Sequence, residues 1–218
     1  MKQICVIGLG NFGSHFARTL AQMDCEVLAI DNNEHSVAAI RDEVHQAIIA
    51  DARDSETLQM VVPPDIDDVV VSLGDDLAGS ILCALHLKKL GVKSIRAKAA
   101  NEDHAEILRS LGVSEVFFPE RETAERMAWR IVRPNLLDFF PLGEDYEVIE
   151  IPAPKSFMGQ TLAEAPIRIR FQALVIAIKK AQTGAALFMP AANYTLSPGD
   201  ILVVMGKSAD LQRLSAEG

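Results

Sequence analysis

Six short apolar runs separated by five amphipathic segments fill residues 1–118, and that alternation leaves few folds open. KQICVIGL, EVLAID, HQAIIAD, DDVVVSLG, SIRAKA and EVFF predict strands. NFGSHFARTLAQM, HSVAAIRDE, SETLQMV, DLAGSILCALHLKKL and NEDHAEILRSL predict helices, the last two stopped by Gly91 and Gly112. In the first helix Phe12, Phe16, Leu20 and Met23 fall on one stripe. Strands joined by helices pair in parallel, because each crossover needs the length of a helix. The unbroken apolar run 69–71 fits a strand buried on both faces. Right-handed crossovers then lay helices on both sides, giving an α/β, doubly wound parallel sheet.

The turn out of the first strand is the chemically distinctive stretch. In VIGLGNFGSH, Gly8, Gly10 and Gly13 match G-x-G-x-x-G, after a strand and opening a helix. Gly8 permits the tight turn, Gly10 lets backbone approach a pyrophosphate, and Gly13 lets helix pack close on strand. Phosphate oxygens would meet the helix's free N–H groups and its positive dipole end. Asp31 ends the second strand, 18 residues past Gly13. A carboxylate there accepts hydrogen bonds from ribose hydroxyls and repels a 2′-phosphate, which disfavours NADP. Alternatively it caps the next helix, in competition with Asn32 and Asn33. Asp51 in ADARD ends the third strand at the same sheet edge, either beside an adenine or as a helix cap. Gly74 lies in SLGDD, which forms the other lip of the crevice, and Lys98 ends the fifth strand, where it would neutralise phosphates or simply face solvent.

Beyond residue 118 the pattern changes. ERETAERMAWRIVR predicts a helix, and PNLLDFFP places Leu136, Leu137, Phe139 and Phe140 between two prolines, so a domain boundary is expected near 140. Such an apolar linker packs either on its own domain or at a subunit interface. Residues 144–218 read as a small α+β module. YEVIEIPAP alternates like a strand with one solvated face, MGQTLAEAPI reads as a short helix, and FQALVIAIKK and DILVVMG are strands before a last helix, KSADLQRL.

Charge and reactive residues narrow the function. A formal net charge of −9 argues against a nucleic-acid-binding face, which needs clustered lysine and arginine. Three scattered cysteines and five histidines show no metal spacing, and a reducing compartment fits. MKQICVIGLG reads as a strand rather than a signal peptide, and no apolar stretch reaches membrane-spanning length. A dehydrogenase needs a general acid beside the nicotinamide. The module after 144 has no histidine or cysteine and only Lys155, Lys179, Lys180 and Lys207, though the first domain could supply a group such as Lys98 or His104. An NAD-dependent oxidoreductase with a small second domain is thus the weaker reading. A sensor whose bound nucleotide biases two arrangements of an assembly is the stronger one.

VIGLGNFG, VLAIDNN, ADARD, VVVSLGDD, RAKAANEDHAEILRSLGVSEVFFPE and ALVIAIKK…LSPGDILVVMG, in that order, resemble the RCK (KTN) regulatory subunits of bacterial potassium uptake systems of the Ktr and Trk type. The resemblance runs along essentially the whole chain. It implies a Rossmann-like RCK_N domain over 1–140, with a crossover helix region at about 120–140, and an RCK_C (TrkA_C) module over 141–218. It implies a cytoplasmic homodimer assembling into an octameric ring beneath a membrane potassium-translocating subunit of the inner membrane. The ligand implied is an adenine nucleotide (ADP, ATP or AMP) or NAD(H), held at Gly8, Gly10, Asn11, Phe12 and Gly13. Asp31 and Asn32 would lie at the ribose, Asp51 and Ala52 by the adenine, Gly74 at the facing lip, and Lys98 near the phosphates. Glu120 would help bind a divalent cation between subunits, and Arg168 lies in the segment where some relatives bind cyclic di-AMP. Many Ktr-type members carry an arginine where this chain has Asn11, which puts preferential ATP recognition in question.

Overall fold

A computed structural model describes residues 1–63, 65–74, 76–132, 137–181 and 183–217. The chain divides into two compact units, Met1–Arg121 and Glu122–Gly218. The division falls early in the helix Pro119–Val132, upstream of the proline-flanked stretch near 140.

In the first unit β1 (Gln3–Ile7), α1 (Asn11–Gln22), β2 (Glu26–Asp31), α2 (Glu34–Ala38), β3 (Gln46–Ile49) and α3 (Ser55–Val61) lead to β4 (Asp68–Val71). Then follow α4 (Leu77–Lys89), β5 (Ile95–Lys98), α5 (Glu102–Ser110) and β6 (Glu115–Phe117). All six strands are parallel, in the order β3-β2-β1-β4-β5-β6. The order reverses between β1 and β4, and the crevice at that switch point is where such sheets bind ligands.

Alternation along β1 shows why both faces must be covered. Cys5 and Ile7 join a core with Leu58, Leu87 and Leu108 of α3, α4 and α5, whereas Val6 joins Ala17, Val37 and Ile40 on the opposite face. The sheet is therefore doubly wound, as the sequence predicts. The expected stripe on α1 holds in part: Phe16 and Leu20 pack against the core around Val6, but the buried positions are Gly13 and Ala17, and Met23 is exposed. Small residues bring α1 close to the sheet, and Phe12 and Phe16 stack beside that contact with centroids 5.5 Å apart. Cys5 and Cys83 are buried, and Cys25 is half-buried. Desolvation pushes both buried thiols up, Cys83 to about 12, so neither ionises near neutrality.

In the second unit α6 (Pro119–Val132), which begins just before the division, precedes β7 (Asp138–Pro141), β8 (Tyr146–Pro152), α7 (Ile167–Phe171), β9 (Leu174–Lys179), β10 (Ala186–Phe188), β11 (Ile201–Lys207) and α8 (Ser208–Ser215). The strands form an antiparallel sheet ordered β10-β9-β11-β8-β7. Ile149, Ile151, Leu202 and Val204 point to one face, where Phe171, Leu211 and Leu214 cover them. The helix expected in 158–167 is absent. The Glu164 carboxylate accepts hydrogen bonds from Thr161 N–H and Oγ1 at 2.8 Å, folding that stretch into a turn, and α7 starts only after Pro166. Asp200, buried, accepts from Tyr194 Oη at 2.9 Å and Ser197 N–H at 3.0 Å, which fixes the turn before β11.

Candidate functional site

A cleft of about 560 Å³ opens at the carboxyl ends of β1 to β5. Its floor is the glycine turn. Gly8 holds φ +93°, and a Cβ there would sit 2.2 Å from the Ser72 carbonyl oxygen. The turn is pinned by Gly8 N–H on Ile30 O at 2.8 Å. A Cβ on Gly13 would lie 1.8 Å from Gly8 O, so this glycine serves the helix–strand contact and does not line the cleft. Gly10 is different. It adopts an ordinary extended conformation, and an added Cβ would meet nothing within 4 Å. Gly10 caps α1 without a side-chain hydrogen bond, and the first turn holds no acidic residue. The helix start therefore offers its N–H groups and positive dipole end to the cleft.

The lips are carboxylate-rich. Asp31 accepts from Leu9 N–H at 2.6 Å and Asn33 N–H at 2.8 Å, tying the glycine turn to the end of β2. Each of its oxygens retains acceptor capacity for a hydroxyl. The cap of α2 is Asn33, whose Oδ1 accepts from His35 and Ser36 N–H at 2.9 and 3.2 Å. Similarly, α3 is capped by Asp54 and α4 by Asp76. Asp31 and Asp51 are thus both released from the capping role that the sequence left open for them.

Asp51 instead holds Arg53. Nε and Nη2 of Arg53 reach the carboxylate at 2.9 and 2.7 Å, and Arg53 N–H donates to Oδ1 at 2.9 Å. These hydrogen bonds hold the Asp51 carboxyl below its ordinary range and keep it ionised. Arg53 Nη1 stands 3.9 Å from Asp76 Oδ2. On the far side, Lys98 forms an ion pair with Glu120, and this hydrogen bond lowers the Glu120 pKa.

Gly8, Gly10, Asn11, Phe12, Asp31, Asn32, Asp51, Ala52, Gly74, Lys98 and Glu120 all line this one cleft. Arg53 also lines it, and nothing in the ADARD stretch distinguishes it from a solvated arginine. Asp75 lies outside the described residues, as do Asn135 and Leu136 of the apolar linker. Asp31, Asp51, Asp76 and Glu120 set four carboxylates against two cations, Arg53 and Lys98, among the described lining residues.

Two candidate roles fare differently. His104 is buried: Asn101 Oδ1 accepts its N–H, and its Nδ1 accepts Ala100 N–H at 3.3 Å. Burial lowers its pKa, and it is not among the cleft residues, so it is not placed to serve as an acid there. Glu120 has an ammonium as its immediate partner, and no group of three His, Cys, Asp or Glu among the described residues could hold a metal. One carboxylate does not make a divalent-cation site by itself.

The comparisons with known proteins agree along the whole chain. Residues 4–119 match the TrkA-N domain and residues 146–217 the TrkA-C domain. The Ktr system potassium uptake protein C of Bacillus subtilis is 34% identical over 212 residues, 97% of this chain and 95% of the relative. The Ktr system potassium uptake protein A of the same organism is 30% identical over 217 residues, 100% of this chain and 97% of the relative. Among solved structures, the GsuK channel bound to NAD superposes with a TM-score of 0.52 at 20% identity, covering 100% of this chain. The chain spans 38% of that channel's length.

Proposed function

The chain belongs to the family that joins a TrkA-N to a TrkA-C domain and includes the Ktr potassium uptake proteins, and from that premise we propose that it is a nucleotide-sensing regulatory subunit. It gates a membrane potassium-translocating subunit of the Ktr or Trk type from the cytoplasmic side of the inner membrane. No helix among the described residues is long and apolar enough to cross a membrane.

The observation that carries the reading is Gly10: an open space over an uncapped helix start, 560 Å³ of cleft around it, and a carboxylate at the end of β2. A phosphate would lie against Gly10, Asn11 and Phe12, a ribose against Asp31 and Asn32, and an adenine against Asp51 and Ala52. Gly74 would close over the facing side. AMP, ADP and NAD(H) suit the cleft better than ATP. Asn11 brings no charge to the helix start, Lys98 is shared with Glu120, and carboxylates outnumber cations. Glu120 would hold a divalent cation only when a second subunit adds ligands.

A regulator also fits the chemistry better than an oxidoreductase. His104 is turned away into the core, and the unit from Glu122 onward contains no histidine or cysteine to act as an acid. We assign the homodimer, and a ring of such dimers, to α6 and the apolar segment after it. Cyclic di-AMP at the C-terminal module, near Arg168, belongs to the same proposal. Vesicles carrying a Ktr-type membrane subunit test the function: potassium flux should change at least several-fold when this chain is added with ADP or NADH. Flux indifferent to both chain and nucleotide would overturn it.

A further inference from the structure

Strand order gives the cleft a direction: β1 supplies the phosphate end, β2 the ribose end, and the loop after β3 the end where the base must lie. Arg53 stands in that loop and lines the cleft. One of its donor edges is already occupied. Nε and Nη2 are bound by Asp51 at 2.9 and 2.7 Å, and Nη1 faces Asp76 at 3.9 Å. Both anchors are themselves fixed. Asp51 also accepts Arg53 N–H at 2.9 Å, and Asp76 accepts Gly79 N–H at 2.9 Å as the cap of α4. Asp51 takes the Nε/Nη2 edge, which fixes the guanidinium's orientation and leaves fewer donors for a phosphate. What it retains is a rigid, cationic, planar face.

Resting on the nucleotide reading above, we propose that Arg53 is the residue that reads the ligand's base, stacking its guanidinium plane on a purine. Asp51 and Asp76 are then positioning residues that fix the plane before the ligand arrives. Pre-fixing matters, because a free arginine would lose side-chain freedom on stacking and surrender part of the gain. The stacking energy scales with ring area and desolvation, so a two-ring base gains more than a one-ring base. Specificity for purines over pyrimidines follows without a base-edge hydrogen bond.

The test compares ADP with UDP, which share ribose and diphosphate and differ only in the base. Calorimetry on the full chain should show wild type favouring ADP, and Arg53→Ala should reduce ADP affinity about tenfold. UDP affinity should stay within about twofold, since its smaller ring gains little from the stack. Arg53→Lys keeps the charge but loses the plane, so it should lose most of the discrimination as well. Equal loss for both ligands would assign Arg53 to general electrostatics and overturn the proposal. So would an unchanged ADP affinity in Arg53→Ala, full discrimination in Arg53→Lys, or a wild type that does not distinguish the bases. A wild type binding neither ADP nor UDP would overturn this inference, and one that binds none of AMP, ADP, NAD⁺ and NADH would overturn the nucleotide reading as well.

Discussion

At Gly13 and Gly10 the same missing methyl has opposite meanings. Gly13 leaves no room, since a Cβ would lie 1.8 Å from a backbone oxygen, so Gly13→Ala must push α1 off the sheet. We expect that variant to lose about 1–3 kcal/mol of stability or more, by the cost of overpacking a close contact. Gly10→Ala meets open space, and its backbone already suits alanine. It should cost no more than about 1 kcal/mol, the difference between glycine and alanine as a helix cap, yet lower nucleotide affinity at least tenfold. Thermal melting and calorimetry on the two variants check this. A Gly10→Ala protein with normal affinity would show that phosphates do not rest there. The motif already assigns packing to Gly13 and phosphate approach to Gly10; the contacts show crowding at the first and open space at the second. The carboxylates follow the same logic. Asp31 was legible because its spacing from the glycines is characteristic, whereas the caps at Asn33, Asp54 and Asp76 depend on local geometry that composition does not settle. Arg53 escaped notice because nothing in ADARD tells a clamped arginine from a solvated one.

Elements of the first unit were legible because β1 to β6 are apolar runs with helices between them, and α4 and α5 end just before Gly91 and Gly112. Short and irregular elements were not. DFFP between prolines reads as linker, yet β7 pairs with β8, a choice made by a neighbouring edge rather than by local propensity. The turn at Thr161 and Glu164 replaces a helix for a similar reason, since side-chain hydrogen bonds compete with the helical ladder. α6 has no buried residue, and Met127, Trp129, Ile131 and Val132 are all exposed on it. Phe140 is 65% exposed on adjoining β7, while Phe139 meets Trp129 edge-on at 6.4 Å. A 14-residue helix with that much apolar surface calls for a cover, and a second copy of the chain is the cover we propose. Polar replacement of Leu137 and Phe140 should raise the dimer dissociation constant at least tenfold in sedimentation velocity. An unchanged sedimentation profile would contradict that assignment.

Over the described residues, the candidate reactive groups are buried or paired. The thiols of Cys5 and Cys83 are buried and un-ionised, His104 is enclosed, and Lys98, which lines the cleft, is paired with Glu120. That arrangement supports the proposal of a site that binds a nucleotide without transforming it. The fold class and the cleft's location were readable from the strand–helix alternation and the glycines. Its charge balance was not, because it depends on which aspartates cap helices and which face the ligand. The most direct measurement is calorimetric titration of the purified chain with AMP, ADP, NAD⁺ and NADH, with each ligand recovered afterwards. The account predicts saturable binding of at least one of them near one per chain, with the ligand returned intact. Absence of saturable heat for all four, or steady consumption of NADH with a small carbonyl compound, would contradict it.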